Sequence, residues 1–161
     1  MANNDYAVGG NTALPENAQG KGHFILKAKL DCSDDNQAQN DIAYLLHVPD
    51  NTEIVNAGIS VVTAEGGTLT VDLGLFLDDG SYTEVDADGF LDGVNANSAT
   101  DYCCNRAAVI TQGAPSTIAP AYGLKGVVTT AASLIGVTFK NAADTAVIHV
   151  WVECIDIRKA S

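Results

Sequence analysis

A side-chain alternation of period two is what most restricts the folds open to this chain. Over 68–77, Leu69, Val71, Leu73, Leu75 and Leu77 fall on one side, and Thr68, Thr70, Asp72 and Gly74 on the other. Successive side chains of a strand point to opposite faces, so the pattern predicts a strand with one buried and one wetted face. Over 23–32 it recurs, with Phe24, Leu26, Ala28, Leu30 and Cys32 opposed to Lys27, Lys29 and Asp31. Over 145–157, Ile148, Val150, Val152 and Cys154 oppose His149, Trp151 and Glu153. Over 53–64 the shared face is Val55, Ala57, Ile59 and Val61. The apolar run 42–48 reads as a strand covered on both faces, and 107–110, 127–131 and 134–140 add further strands.

Turn chemistry punctuates these runs. Val48-Pro49-Asp50-Asn51 and Asn141-Ala142-Ala143-Asp144 read as turns, and Glu65-Gly66-Gly67 as a turn of hairpin length. Residues 78–82 leave the sheet, and 112–122, with Pro115 and Pro120, read as a loop. Short strands with turn-rich joints predict an all-β fold, a jelly-roll-like antiparallel β-sandwich. Residues 1–22 carry no apolar periodicity and are expected to form an extended N-terminal arm, leaving 23–161 as the β-sandwich domain. A length of 161 residues fits one domain with a full core.

Charge excludes whole classes of partner. The net charge is −12 with only 8 Lys+Arg and no basic stripe, so the phosphate backbone of nucleic acid is repelled. No apolar run reaches the roughly 18 residues of a membrane span. The first residues lack the basic start and apolar stretch of a secretory signal, so synthesis and retention in the cytoplasm is the expectation. Cys32, Cys103, Cys104 and Cys154 show no Cys-x-x-Cys spacing and are expected to be reduced and structural.

The stretch EVDADGFLDGVN, residues 84–95, is the one motif with metal-ligand character. Set on a calcium loop, Glu84, Asp86 and Asp88 fill the first three ligand places, Gly89 the turn and Asp92 the ninth place. Against that, Asn95 stands where a bidentate glutamate belongs, and the preceding residues read as strand rather than helix. The competing reading is an acidic turn, capped by Asp86 or Asp88, leading into a helical turn through Phe90, Leu91 and Val94. His23, His47 and His149 have no metal-ligand spacing, and no nucleophile elbow, phosphate loop or dinucleotide fingerprint occurs. The chain therefore reads as a non-enzyme without cofactors. Trp151, the sole tryptophan, stands opposite the apolar face of its strand, as an interface anchor, a cover for the sheet or a platform for a sugar ring.

Taken together, Val48-Pro49, Asn51-Thr52, Ala57-Gly58, the strand 68–74, Asp88-Gly89-Phe90-Leu91-Asp92-Gly93-Val94 and the valine-alternating 147–157 resemble the cement, or decoration, proteins of tailed-bacteriophage heads. The likeness spans roughly 40–100 and 144–157; the segment at Asp101 to Cys104 departs from it. The resemblance implies a jelly-roll sandwich and a homodimer or homotrimer docked on the major capsid protein. It places that assembly on the capsid exterior of a virion built in the host cytoplasm. It brings no catalytic residues and gives the arm, with Tyr6 and Leu14, a neighbouring subunit to reach. A jelly-roll module for carbohydrate or calcium, and a tail or fibre protein, are the alternatives.

Overall fold

The computed structural model describes residues 3–5, 22–103 and 127–157. Tyr6, Leu14, Cys104, the strand expected over 107–110 and the loop over 112–122 lie outside the described residues. Ten strands are described: β1 (Asn3–Asp5), β2 (His23–Asp31), β3 (Ile42–Val48), β4 (Thr52–Thr63), β5 (Thr70–Leu77), β6 (Glu84–Asn95), β7 (Asp101–Cys103), β8 (Val127–Val128), β9 (Ser133–Phe139) and β10 (Val147–Asp156). They form two sheets, ordered β1-β3-β9-β5-β6 and β2-β10-β4-β7, with β8 also pairing β4. Pairing is antiparallel throughout, except that β1 adds in parallel to the β3 edge, Asn3 opposite Ile42 and Asp5 opposite Tyr44. The expected all-β, jelly-roll-like sandwich is what the chain adopts.

The faces read from β2 and β10 hold. Leu30, Ile148, Val150, Val152 and Cys154 are buried between the sheets, where they meet Val71, Leu73, Leu75, Ile135, Val137 and Phe139. In β4 the expected face is corrected. A bulge sets Glu153 opposite Asn56 but Cys154 opposite Ile54, so the alternation slips by one residue. Ile54 turns into the core and Val55, 37% exposed, turns out.

A second correction concerns the wetted face of β5. Asp72, Gly74 and Phe76 on that face are all buried. Ile42, Tyr44, Phe76 and Leu134 form a small apolar cluster on the outer side of the first sheet, joined by Tyr82 and Ala87. The Tyr44 ring meets Phe76 edge-on at 5.2 Å and stacks on Tyr82 at 4.6 Å. Tyr82 reaches this position from the β5–β6 connection with φ of 53°. That loop therefore roofs the sheet it leaves.

The linker Glu65-Gly66-Gly67 is not a hairpin turn. It carries the chain from β4 in one sheet to β5 in the other. Residues 84–95 are neither loop nor helical turn but the long strand β6. Opposite β5, Asp86 pairs with Leu75 and Leu91 with Leu73, so β6 spends five residue steps where β5 spends two. The surplus bulges over Gly74, where a Cβ would run into the backbone of Asp86 and Ala87. The bulge breaks period two and lets Phe90, Leu91 and Val94 all be buried. A helix-like spacing in the sequence is thus an irregular strand in the fold.

Candidate functional site

The outer face of the β2-β10-β4-β7 sheet gathers the side chains with binding chemistry. Strand register sets them in rows. Lys27 stands opposite Trp151, Trp151 opposite Gly58, and Gly58 opposite Cys103. In the next row Lys29 stands opposite His149, His149 opposite Ser60, and Ser60 opposite Asp101. These positions alternate with the core residues of the same strands, so they share the outward face.

Gly58 explains where Trp151 lies. A Cβ on Gly58 would overlap the indole and come within 2.6 Å of the Tyr102 carbonyl oxygen, so the ring is laid over backbone that only glycine leaves open. Trp151 is half-buried on this shelf. Beside it, Lys27, Lys29, Ser60, His149 and Trp151 border a cleft of about 360 Å³. Lys29 is paired with Asp31 at 2.8 Å, which raises the ammonium pKa and holds the Asp31 carboxyl down at about 2. Lys27 is exposed and has no ion-pair partner among the described residues. At the end of the sheet His23 meets Glu153 at 2.5 Å, and on the other sheet His47 meets Asp78 at 3.0 Å.

The four calcium candidates do not converge. Glu84 and Asp86 lie beside Phe76 and Leu75 along β5, whereas Asp88 lies within the bulge and Asp92 follows it. No group of three or more His, Cys, Asp or Glu side chains is arranged to hold a metal ion among the described residues. Asp92 instead belongs to a cluster around Lys140. The Lys140 ammonium reaches the fully buried Asp72 carboxylate at 2.5 Å, and the Gly93 N–H donates to Asp72 Oδ1 at 2.9 Å. Gly93 does so with φ of 70°, which a residue with a side chain rarely adopts. Burial, then the charges of Asp72 and Asp88, push the Asp92 pKa up. The hydrogen bond to Asp72 leads the causes that push Lys140 up, against the cost of its partial burial.

Lys140 thus supplies the positive charge that the buried Asp72 faces. Lys140→Met keeps the aliphatic stem and removes that charge, leaving the buried Asp72 carboxylate with the Gly93 N–H but no countercharge. It is expected to destabilise the fold by about 1–2 kcal/mol, less than a fully buried pair because the lysine side chain is 47% exposed. Urea unfolding of the two proteins side by side checks this.

A second polar site was invisible in the sequence. Glu65 is 9% exposed, and its carboxylate accepts hydrogen bonds from the backbone N–H groups of Asp144 (3.2 Å), Thr145 (3.1 Å) and Ala146 (3.0 Å). Thr145 Oγ1 and the Gly66 N–H donate to its other oxygen at 2.7 and 3.1 Å. Burial would raise the Glu65 pKa, but these donors outweigh it and bring it to about 2. The carboxylate ties the crossing between the sheets to the turn before β10, a structural task. Cys32 and Cys154 are fully buried, and burial leads the causes that push both thiols up to about 12. They remain protonated at neutral pH and act as small apolar side chains, the opposite of an activated nucleophile.

No family model matches this chain, and no curated protein sequence is significantly similar to it. Solved structures do share its fold. A chain in the capsid of Ralstonia phage GP4 is similar at TM-score 0.66 and 14% identity, over 99% of this chain and 100% of that one. A chain in the acidic stable capsid structure of Helicobacter pylori bacteriophage KHP30 is similar at TM-score 0.53 and 18% identity, over 84% of this chain and 90% of that one. A chain in the cyanophage Pam1 capsid asymmetric unit gives 0.51 and 12%, over 92% and 95%. At such low identity the similarity is one of fold, and the fold of this chain is that of chains found in three phage capsids.

Proposed function

We propose that this chain is a structural protein of a tailed-phage virion, a cement or decoration protein that sits on the outside of the head. There it bridges major capsid subunits as a homodimer or homotrimer. The observation that carries the reading is the end-to-end match to the chain in the GP4 capsid, 99% of one against 100% of the other. The sequence pattern of strands and turns that resembles such proteins points the same way. Such a role asks only for a stiff sandwich repeated in many copies, each contributing a modest contact.

The arm has a physical part in this proposal. Asn3–Asp5 already adds a strand to the β3 edge of the first sheet, so the start of the chain can pair with an exposed sheet edge. In the assembly that edge belongs to a neighbour or to the shell, with Tyr6 and Leu14 as side-chain contacts.

Phage heads prepared without this protein provide the test. The purified chain is expected to bind them saturably, to raise their melting temperature, and to appear as outward density in electron cryomicroscopy. Native mass spectrometry is expected to show a discrete dimer or trimer whose mass is unchanged by EDTA. Deleting residues 1–20 is expected to weaken shell binding while β2 to β10 keep their fold by circular dichroism. Failure of the whole chain to bind shells overturns the reading. Undiminished binding of the truncated chain overturns the role of the arm alone.

A further inference from the structure

We infer that the cleft beside Trp151 is a binding site for an acidic sugar. A hexuronate ring stacks on the indole, and its carboxylate is held by Lys27. Trp151 and Lys27 are direct partners on neighbouring strands, so their side chains rise from Cβ atoms only about 5 Å apart. The indole is set down on Gly58, which keeps the ring low against the sheet and gives the cleft its aromatic side. A flat aromatic side chain with hydrogen-bond donors around it suits a pyranose, which offers an apolar face and a rim of hydroxyls. Lys29, His149 and Ser60 in the next row supply such donors.

Charge selects an acidic sugar over a neutral one. Three lysines are described, and two are already neutralised, Lys29 by Asp31 and Lys140 by Asp72. Lys27 is left exposed and without an ion pair among the described residues, in a chain of net charge −12. A carboxylate arriving at the indole gives it the partner that the fold does not, as a charge-assisted hydrogen bond. The same net charge disfavours the long, continuous backbone of a nucleic acid, so the site takes a short anion.

The size of the cleft suits a small ligand. A cleft of about 360 Å³ is at the low end of small-ligand sites. The centre of a stable protein interface is apolar and poor in charge. This face carries the Lys29–Asp31 and His23–Glu153 pairs, together with the exposed Ile25 and Val62. Of the readings the sequence left open for Trp151, the inference takes up the sugar platform. The inference does not rest on the capsid reading and stands or falls separately.

Trp151 is the only tryptophan in the chain, so its emission reports the site directly. The full-length protein is titrated with trigalacturonate, and with maltotriose as the neutral comparison. A saturable change in emission with trigalacturonate, with Kd on the order of 1 mM or tighter, is expected. Maltotriose is expected to bind about tenfold more weakly, and Lys27→Gln to remove that preference while leaving the melting temperature unchanged. The inference is overturned by the absence of saturable change up to about 10 mM trigalacturonate. Equal affinity for the two sugars, or undiminished binding by the Lys27→Gln protein, overturns it as well.

Discussion

Glu65→Ala is expected to lower the stability of the folded chain by about 3–4 kcal/mol, measured as the shift in urea midpoint at pH 7. The substitution leaves the N–H groups of Asp144, Thr145 and Ala146 and the Thr145 hydroxyl without their acceptor, and Ala146 is wholly buried. Glu65→Gln is expected to cost about half as much. One amide oxygen can still serve the three backbone donors, but the amide NH2 then faces the Gly66 N–H.

The pH dependence follows with a definite sign. The Glu65 pKa is held at about 2 in the folded chain, below its ordinary value of 4.5. Its contribution is therefore present in full above pH 4.5 and is lost as pH falls from there toward about 2. The shift corresponds to about 3 kcal/mol as an upper figure. The gap between wild type and Glu65→Gln should accordingly narrow across that acid range. A gap that stays constant from pH 7 down to about 2 would show that the carboxylate charge is not what ties the two turns together.

Gly74→Ala is expected to destabilise the fold by about 3 kcal/mol or more, with loss of amide protection along β5 and β6 before the rest of the sandwich. The added Cβ would meet the Asp86 and Ala87 backbone of the β6 bulge, which cannot swing aside as a flexible side chain would. To make room the bulge must lift. That also loosens the cover over Tyr44 and Phe76, because Ala87 packs on their cluster. Gly67→Ala is the control, since a Cβ there meets nothing within 4 Å. It is expected to stay within about 0.5 kcal/mol of wild type. Equal effects at the two glycines would mean that β6 is not seated on β5 as described.

Fold class was legible in the sequence because alternation is a local property. The buried faces of β2 and β10 can be read two residues at a time, without knowing which strand lies next to them. The burial of 42–48 on both faces was legible for the same reason, from its unbroken apolar character. The candidate site was only half legible. Trp151 stood out, but its neighbour Lys27 lies on the far side of the domain in sequence, and Gly58, which makes the shelf, looked like any glycine in a strand. The acidic stretch misled in the opposite direction. Its Phe90, Leu91 and Val94 fall at helical spacing, yet a bulged strand buries all three.

By itself, then, the sequence determined that this chain is all-β and which faces of its most regular strands are buried. Only the tertiary structure decided that the outer face of β5 is covered as well, what a buried charge meets and where a strand slips register. The Glu65 carboxylate and its donors in the turn before β10 are 79 to 81 residues apart, and Asp72 meets Lys140 across the strand order of a sheet. The reason is physical. Side-chain direction follows from the backbone of each strand alone, whereas register, bulges and the pairing of buried charges are fixed by contacts between strands distant in the chain.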